Sequence, residues 1–146
     1  MRPEAGVARR RGHAVIELSL LMPWVFFLFV GALDFGFYSY ALIATENAAH
    51  AGALYTAQCS GTADDQSGAC ERVLAEMSRL PNASDFASGC SSDPLRVTAE
   101  RFIDGEGYES SRVRVSYQTV QLIPIPGLVS GRLTITRTAE VRVFGD

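Results

Sequence analysis

The chain has 146 residues, 47% of them hydrophobic, and its thirteen basic residues, all arginine, stand against sixteen acids for a formal net charge of -3. That length allows one membrane segment and one small domain, and the acidic balance argues against nucleic acid, whose protein partners present basic surfaces. The charge is unevenly placed: Arg2, Arg9, Arg10 and Arg11 precede the first long apolar run with Glu4 the only acid among them, and acids gather beyond it.

Residues 1–12 read as a basic leader that ends in Arg9-Arg10-Arg11-Gly12. From His13 to Leu33 only Glu17 is charged, so the stretch approaches the ~20 residues that cross ~30 Å of hydrocarbon. A carboxylate at mid-membrane costs about 2.5–3.5 kcal/mol and less near a helix end, so Glu17 is expected to serve a partner rather than the anchor. The positive-inside rule leaves the N-terminus in the cytoplasm and exports the remainder. The helical pattern continues past Leu33, because Asp34 and Glu46 are the only acids or arginines from there to Ala57 and no proline intervenes. One helix is therefore predicted over residues 13–57, roughly 67 Å at 1.5 Å per residue. Phe35, Phe37, Tyr38 and Tyr40 would mark the outer interface as an aromatic belt. The pairs Ala32 with Gly36, Ala44 with Ala48, and Ala48 with Gly52 would let another helix approach closely, although alanine's helix propensity accounts for any single pair equally well.

Residues 58–146 are expected to form a small periplasmic α+β domain. A Gly/Ser/Asp-rich linker over 60–69 leads to a short helix over 71–80, with Val73, Leu74, Met77 and Leu80 on one side and Pro81-Asn82 ending it. Period-two alternation then predicts about three antiparallel strands, over 96–103, 112–120 and 132–144. Val113, Val115 and Tyr117 share one face of the second, and Leu133, Ile135, Ala139, Val141 and Val143 one face of the third. Asp104-Gly105-Glu106-Gly107 turns between the first two, and Ile123-Pro124-Ile125-Pro126-Gly127 breaks the ladder before the third. The fold class is thus α+β, a long membrane-spanning helix followed by a small domain.

Cys59, Cys70 and Cys90 all lie on the exported side, where a disulfide is permitted. The three pairings are open, and the flexible linker makes Cys59 to Cys70 feasible. No CxxC or CxxH spacing occurs and His13 and His50 are remote in sequence, so no metal or other cofactor is expected. Nor do these residues make a nucleophile with a base, an HExxH or a phosphate loop, so the chain does not read as an enzyme.

The run Arg10-Arg11-Gly12-His13-Ala14-Val15-Ile16-Glu17-Leu18-Ser19-Leu20-Leu21-Met22-Pro23, with Gly31-Ala32-Leu33-Asp34-Phe35-Gly36 and Ala48-Ala49-His50-Ala51-Gly52-Ala53, resembles the TadE-like pseudopilins of tight-adherence (Flp, type IVb) pilus systems. The resemblance is strong from Arg10 to about Ala57. Farther on only residues 128–133 and the closing Thr138-Ala139-Glu140-Val141-Arg142-Val143 are similar. It implies a cut by a prepilin peptidase between Gly12 and His13, which makes Glu17 the fifth residue of the mature chain. It also implies, as partners, that peptidase, a related pseudopilin, the major Flp pilin and the inner-membrane assembly platform. Major Flp pilins are shorter and typically carry tyrosine after that glutamate, so Leu18 and the added domain speak for a minor component. Elementary chemistry agrees: a freed ammonium on His13 and a carboxylate four residues on share a helical face about 6 Å apart, and each offsets the other in a low dielectric.

Three other readings compete, and the first, a plain single-pass anchor, leaves Glu17 unexplained. A secretory signal would not carry Glu17, nor extend its apolar run into Ala41-Leu42-Ile43-Ala44. A single-pass periplasmic binding or sensor protein would use the head to recognise a ligand, but the head offers no aromatic or charged cluster beyond an ordinary surface.

Overall fold

The computed structural model of the chain describes residues 7–120 and 131–145. Its first element is one uninterrupted helix, α1 (Val7–Thr56), which starts six residues before His13 and absorbs Pro23 in its interior. Proline's missing N–H is tolerated in an apolar helix of this kind, where neighbouring turns and local adjustment satisfy the freed carbonyl. Two compact units divide between Gly36 and Phe37.

The second unit begins with the last turns of α1 and adds one further α-helix and a sheet. The segment over 60–69 is not a linker. A 3-10 turn at Ser60–Thr62 is followed by α2 (Gln66–Met77), which starts five residues before the expected 71. Asp65 makes that early start possible: its Oδ1 accepts from the backbone N–H of Ser67 and of Gly68, each at 3.1 Å. Those are two of the orphan donors that every helix N-terminus exposes. The helix ends at Met77, three residues short of the expected Leu80, and Pro81 is followed by a second 3-10 turn at Ala83–Phe86.

The about three antiparallel strands expected are present and a two-residue strand precedes them, in one meander of order β1-β2-β3-β4: β1 (Ser91–Ser92), β2 (Leu95–Ile103), β3 (Glu109–Gln118) and β4 (Thr134–Arg142). β1 escaped the alternation because two residues carry no period. β3 begins three residues before the expected 112, and β4 is shorter at both ends than 132–144. Val97 faces Val115, Leu95 faces Tyr117, and Tyr117 faces Ile135 across the sheet, so the apolar positions of three strands fall on one face. The proline-containing breaker at 123–127 lies outside the described residues.

α1 and α2 cover that face. Ala41, Ala48, Ala49 and Ala53 from α1, and Ala69, Val73 and Met77 from α2, are buried with Val97, Val113, Val115, Tyr117 and Ile135 in one core. The α1 side is made of small residues, which allows the helix to lie close on the sheet. Its two buried threonines cost little, because the Thr45 hydroxyl donates to the Ala41 carbonyl at 2.7 Å and the Thr56 hydroxyl to the Ala53 carbonyl at 3.1 Å. Ser111 of β3 then donates to the Thr56 oxygen at 2.7 Å, tying the end of α1 to the start of β3.

Candidate functional site

Gly12, His13 and Glu17 all lie on α1, with His13 and Glu17 exposed. The helix over His13–Thr56 is long and apolar enough to cross a membrane, and the side chains of Val15, Leu20, Trp24, Phe26 and Leu28 are exposed. An apolar surface of that extent is stable only against lipid or another apolar surface. One N-terminal apolar helix of this kind fits a single-pass membrane anchor. Within it Asp34 carries an oxygen, Oδ2, that is buried and has no hydrogen-bond partner among the described residues.

The small residues separate into two groups. Ala32 and Gly36 are exposed, and the space where a Gly36 side chain would stand is open. Ala48 and Gly52 are buried and Ala44 is half-buried, and what they meet is this chain's own head. A Cβ on Gly52 would lie 3.1 Å from Val113 Cγ1 and 3.4 Å from Val73 Cγ2. The reading of Ala44, Ala48 and Gly52 as a seat for another helix therefore gives way above Phe37 to a seat for β3 and α2. The aromatic group divides likewise: Phe35, Phe37 and Tyr40 are exposed, and Tyr38 packs against the core.

Cys70 and Cys90 form the disulfide and Cys59 is free, so the linker pairing of Cys59 with Cys70 is not the one made. The bridge joins α2 to the residue before β1, across the segment that carries the loop over 78–89. Cys59 ends the connection from α1, where a hydrogen bond with the Thr62 hydroxyl and then the Thr62 and Gly61 backbone hold its thiol below the ordinary value. His50 stands exposed on α1, and no group of three metal-ligating side chains occurs among the described residues.

Three positioning contacts were not legible in the alternation. Gln66 places its side-chain amide along the free edge of β2, donating to the Val97 carbonyl and accepting from the Ala99 N–H at 3.1 Å. It stands in for a missing strand. Arg137 occupies an inward position of β4, where its guanidinium meets Glu46 of α1 at 3.0 Å. At the opposite end of the sheet Arg142 pairs with Asp104 at 2.7 Å and also with Glu106, and lies over the Tyr108 ring 4.7 Å from its centre. The Asp104 carboxyl is held below the usual carboxylate range, first by the Tyr108 backbone N–H and further by the Glu106 N–H and Arg142. Only the acid beside a Gly-rich turn could have signalled this cluster in advance.

The family model described as TadE-like protein matches residues 12–54, from the glycine before His13 to the part of α1 that packs on the sheet. Comparison with curated proteins and with solved structures gives no match. What the chain shares with TadE-like proteins is thus residues 12–54, the greater part of α1.

Proposed function

We propose that the chain is a minor pilin or pseudopilin that acts in assembly of a tight-adherence (Flp, type IVb) pilus, and that it is not an enzyme. The observation that carries the reading is the TadE-like match beginning at Gly12, on a helix whose one early carboxylate, Glu17, has no role in anchoring. In this reading a prepilin peptidase cuts between Gly12 and His13 in the cytoplasm, the N-terminal half of α1 stays in the inner membrane, and the head stands in the periplasm. The new ammonium of one subunit and Glu17 of its neighbour then set the axial register of assembly, since either charge alone is costly in hydrocarbon. The related pseudopilin, the major Flp pilin and the inner-membrane platform are the partners this reading requires.

The mature N-terminus tests it. Mass spectrometry of the membrane-extracted protein should find His13 first in the parent and Met1 retained in Gly12→Leu, whose side chain would block the scissile position. A terminus at His13 in Gly12→Leu, or an intact leader in the parent, overturns the processing step. Glu17→Ala should insert normally and lose pili; normal pilus numbers in that variant remove the register role.

A further inference from the structure

α2 runs back along α1 toward the end of the head that the apolar segment enters. A side chain at Gly68 would run into Tyr55, and one at Gly52 would meet Val73, whereas Ala75, Ser78 and Arg79 share a groove with Tyr40 and Ile43. The later a residue lies in α2, the earlier its neighbour lies in α1. Arg79, just past the end of α2, is thereby delivered beside Tyr40, seven residues or ~10 Å beyond Leu33, the last residue of the uncharged run. A span of about 17–25 residues counted from His13 ends between residues 29 and 37, so the groove opens at the level of the lipid headgroups. Its volume is about 480 Å³, within the ~300–1,000 Å³ of small-molecule sites. Its polar lining is Tyr40 and Asn47 from α1 and Glu76, Ser78 and Arg79 from the α2 side, all five exposed. Among the described residues Glu76 and Arg79 form no ion pair, with each other or with any other group, although they are only three residues apart.

We propose that this groove seats the headgroup of a phospholipid that carries both a phosphate and a primary ammonium, a phosphoethanolamine, drawn from the bilayer that α1 crosses. The inference rests on α1 being a membrane anchor and not on the pilus reading. Three observations select this occupant. The groove presents one cation and one anion, neither neutralised within the described chain, and a zwitterion satisfies both. Their order also matches. Because α2 descends toward the bilayer, Arg79 lies nearer the hydrocarbon than Glu76 by three residues, or ~4.5 Å at helical rise; in such a lipid the phosphate adjoins the glycerol and the ammonium lies on its water side. The Arg79 guanidinium can hold two phosphate oxygens in its planar fork, and the Tyr40 hydroxyl adds a donor at the depth where tyrosine favours the interface. Finally, the last carbonyls of α2 form the negative end of its dipole and favour a cation beside Glu76. A headgroup with a phosphate alone would gain from Arg79 and lose to Glu76. Phe37, exposed about one turn below Tyr40, leaves apolar surface for the acyl chains to follow.

The full chain, purified in detergent, is mixed in turn with dioleoyl phosphatidylethanolamine, phosphatidylcholine and phosphatidylglycerol, and the lipid retained per chain is measured by native mass spectrometry. The expected result is one retained phosphatidylethanolamine, bound at least tenfold more tightly than either of the others. Choline's methyl groups leave it no N–H to donate to Glu76, and phosphatidylglycerol has no cation. Arg79→Gln should weaken retention of phosphatidylethanolamine at least tenfold, and Glu76→Gln should reduce its preference over phosphatidylglycerol at least fivefold. Both side chains are exposed, so neither change should move the melting temperature. Arg114→Gln, exposed on the outer face of the sheet, should leave retention unchanged. Equal retention of the three lipids, a preference for phosphatidylcholine or phosphatidylglycerol, unchanged binding in Arg79→Gln, or an equal loss in Arg114→Gln would each overturn the proposal. None of these readouts involves pili, so their failure is distinct from that of the assembly reading.

Discussion

Gly52 decides whether the small-residue face of α1 belongs to the head or to a neighbour. In the structure a Cβ at this position meets Val113 Cγ1 at 3.1 Å and Val73 Cγ2 at 3.4 Å, and both valines are fully buried. Gly52→Ala sets two opposing effects against each other. Replacing glycine in a helix interior stabilises by about 0.8–1 kcal/mol, and pushing two packed valines aside by a few tenths of an ångström costs about as much, so the net change should lie within ~1 kcal/mol of zero. Gly52→Val adds two further methyl groups to the same junction of α1, α2 and β3. Overpacking of a filled core costs about 1–3 kcal/mol, occasionally more, and valine's stiff χ1 forfeits part of the helix gain. The expected loss is therefore about 2–3 kcal/mol, or roughly 10–20 °C for a domain of this size. The assay is thermal unfolding of the full chain in detergent, followed by circular dichroism. A double-mutant cycle with Val113→Ala, which vacates the space, should show a coupling of at least ~1 kcal/mol. A Gly52→Val protein that melts like its parent, or a cycle with no coupling, would refute the packing argument. If in addition that variant lost only its association with other subunits, Gly52 would belong to an intermolecular face after all.

The Cys70–Cys90 bridge closes a loop with a sequence separation of 20, which in the chain-entropy account stabilises the head by about 3 kcal/mol; replacing both cysteines by alanine should lower the melting temperature accordingly, and Cys59→Ser should change it by less than a tenth of that. Alkylation of the unreduced protein should label one thiol per chain, and three labels would mean that the bridge is absent. Acid should destabilise the head through Asp65 and Asp104, whose carboxyls are both held below their ordinary values, Asp65 first by the Gly68 backbone N–H and then by the Ser67 and Tyr55 hydroxyls. A depressed carboxyl contributes stability that is fully present above its unfolded value, near pH 4, and is lost as pH falls through the folded value. Melting temperatures should therefore be level from pH 7 to about 5 and fall below about 4, with a shallower fall in Asp65→Asn; an identical pH profile in that variant would remove Asp65 from the account.

Where a single period dominates, the fold was readable in advance. Val113, Val115 and Tyr117 alternate without exception, and all three are buried on the predicted face. The long apolar helix was readable because residues 18–33 carry no charge and Pro23 is absorbed in an apolar helix. The expectations differ from the structure where a polar residue satisfies a backbone group or a charge that composition does not reveal. Residues 60–69 have the composition of a linker, yet Asp65 caps α2 and Gln66 closes the edge of β2. Composition reports the polar residue and is silent about the backbone group it satisfies. Arg137 breaks the inward set of β4 until Glu46 is found opposite it on α1. Of three cysteines, the pair that forms is the one joining α2 to the start of the sheet, and proximity in sequence favoured another.

The upper half of α1 shows the same limit in its sharpest form, because one spacing of small residues suits two kinds of partner equally well. Alanine and glycine at spacings of three and four suggested a surface for a neighbouring helix, but close approach is equally what a sheet requires of the helix that covers it. With Val113 and Val73 against Gly52, that face is occupied. The face away from the sheet is exposed at Tyr40, Ile43, Asn47, His50 and Leu54. A spacing of three and four marks one face of a helix and is silent about what covers that face. A substitution at Gly52 should therefore act first on the stability of the head, through the two valines it meets, and on association only as a consequence of that.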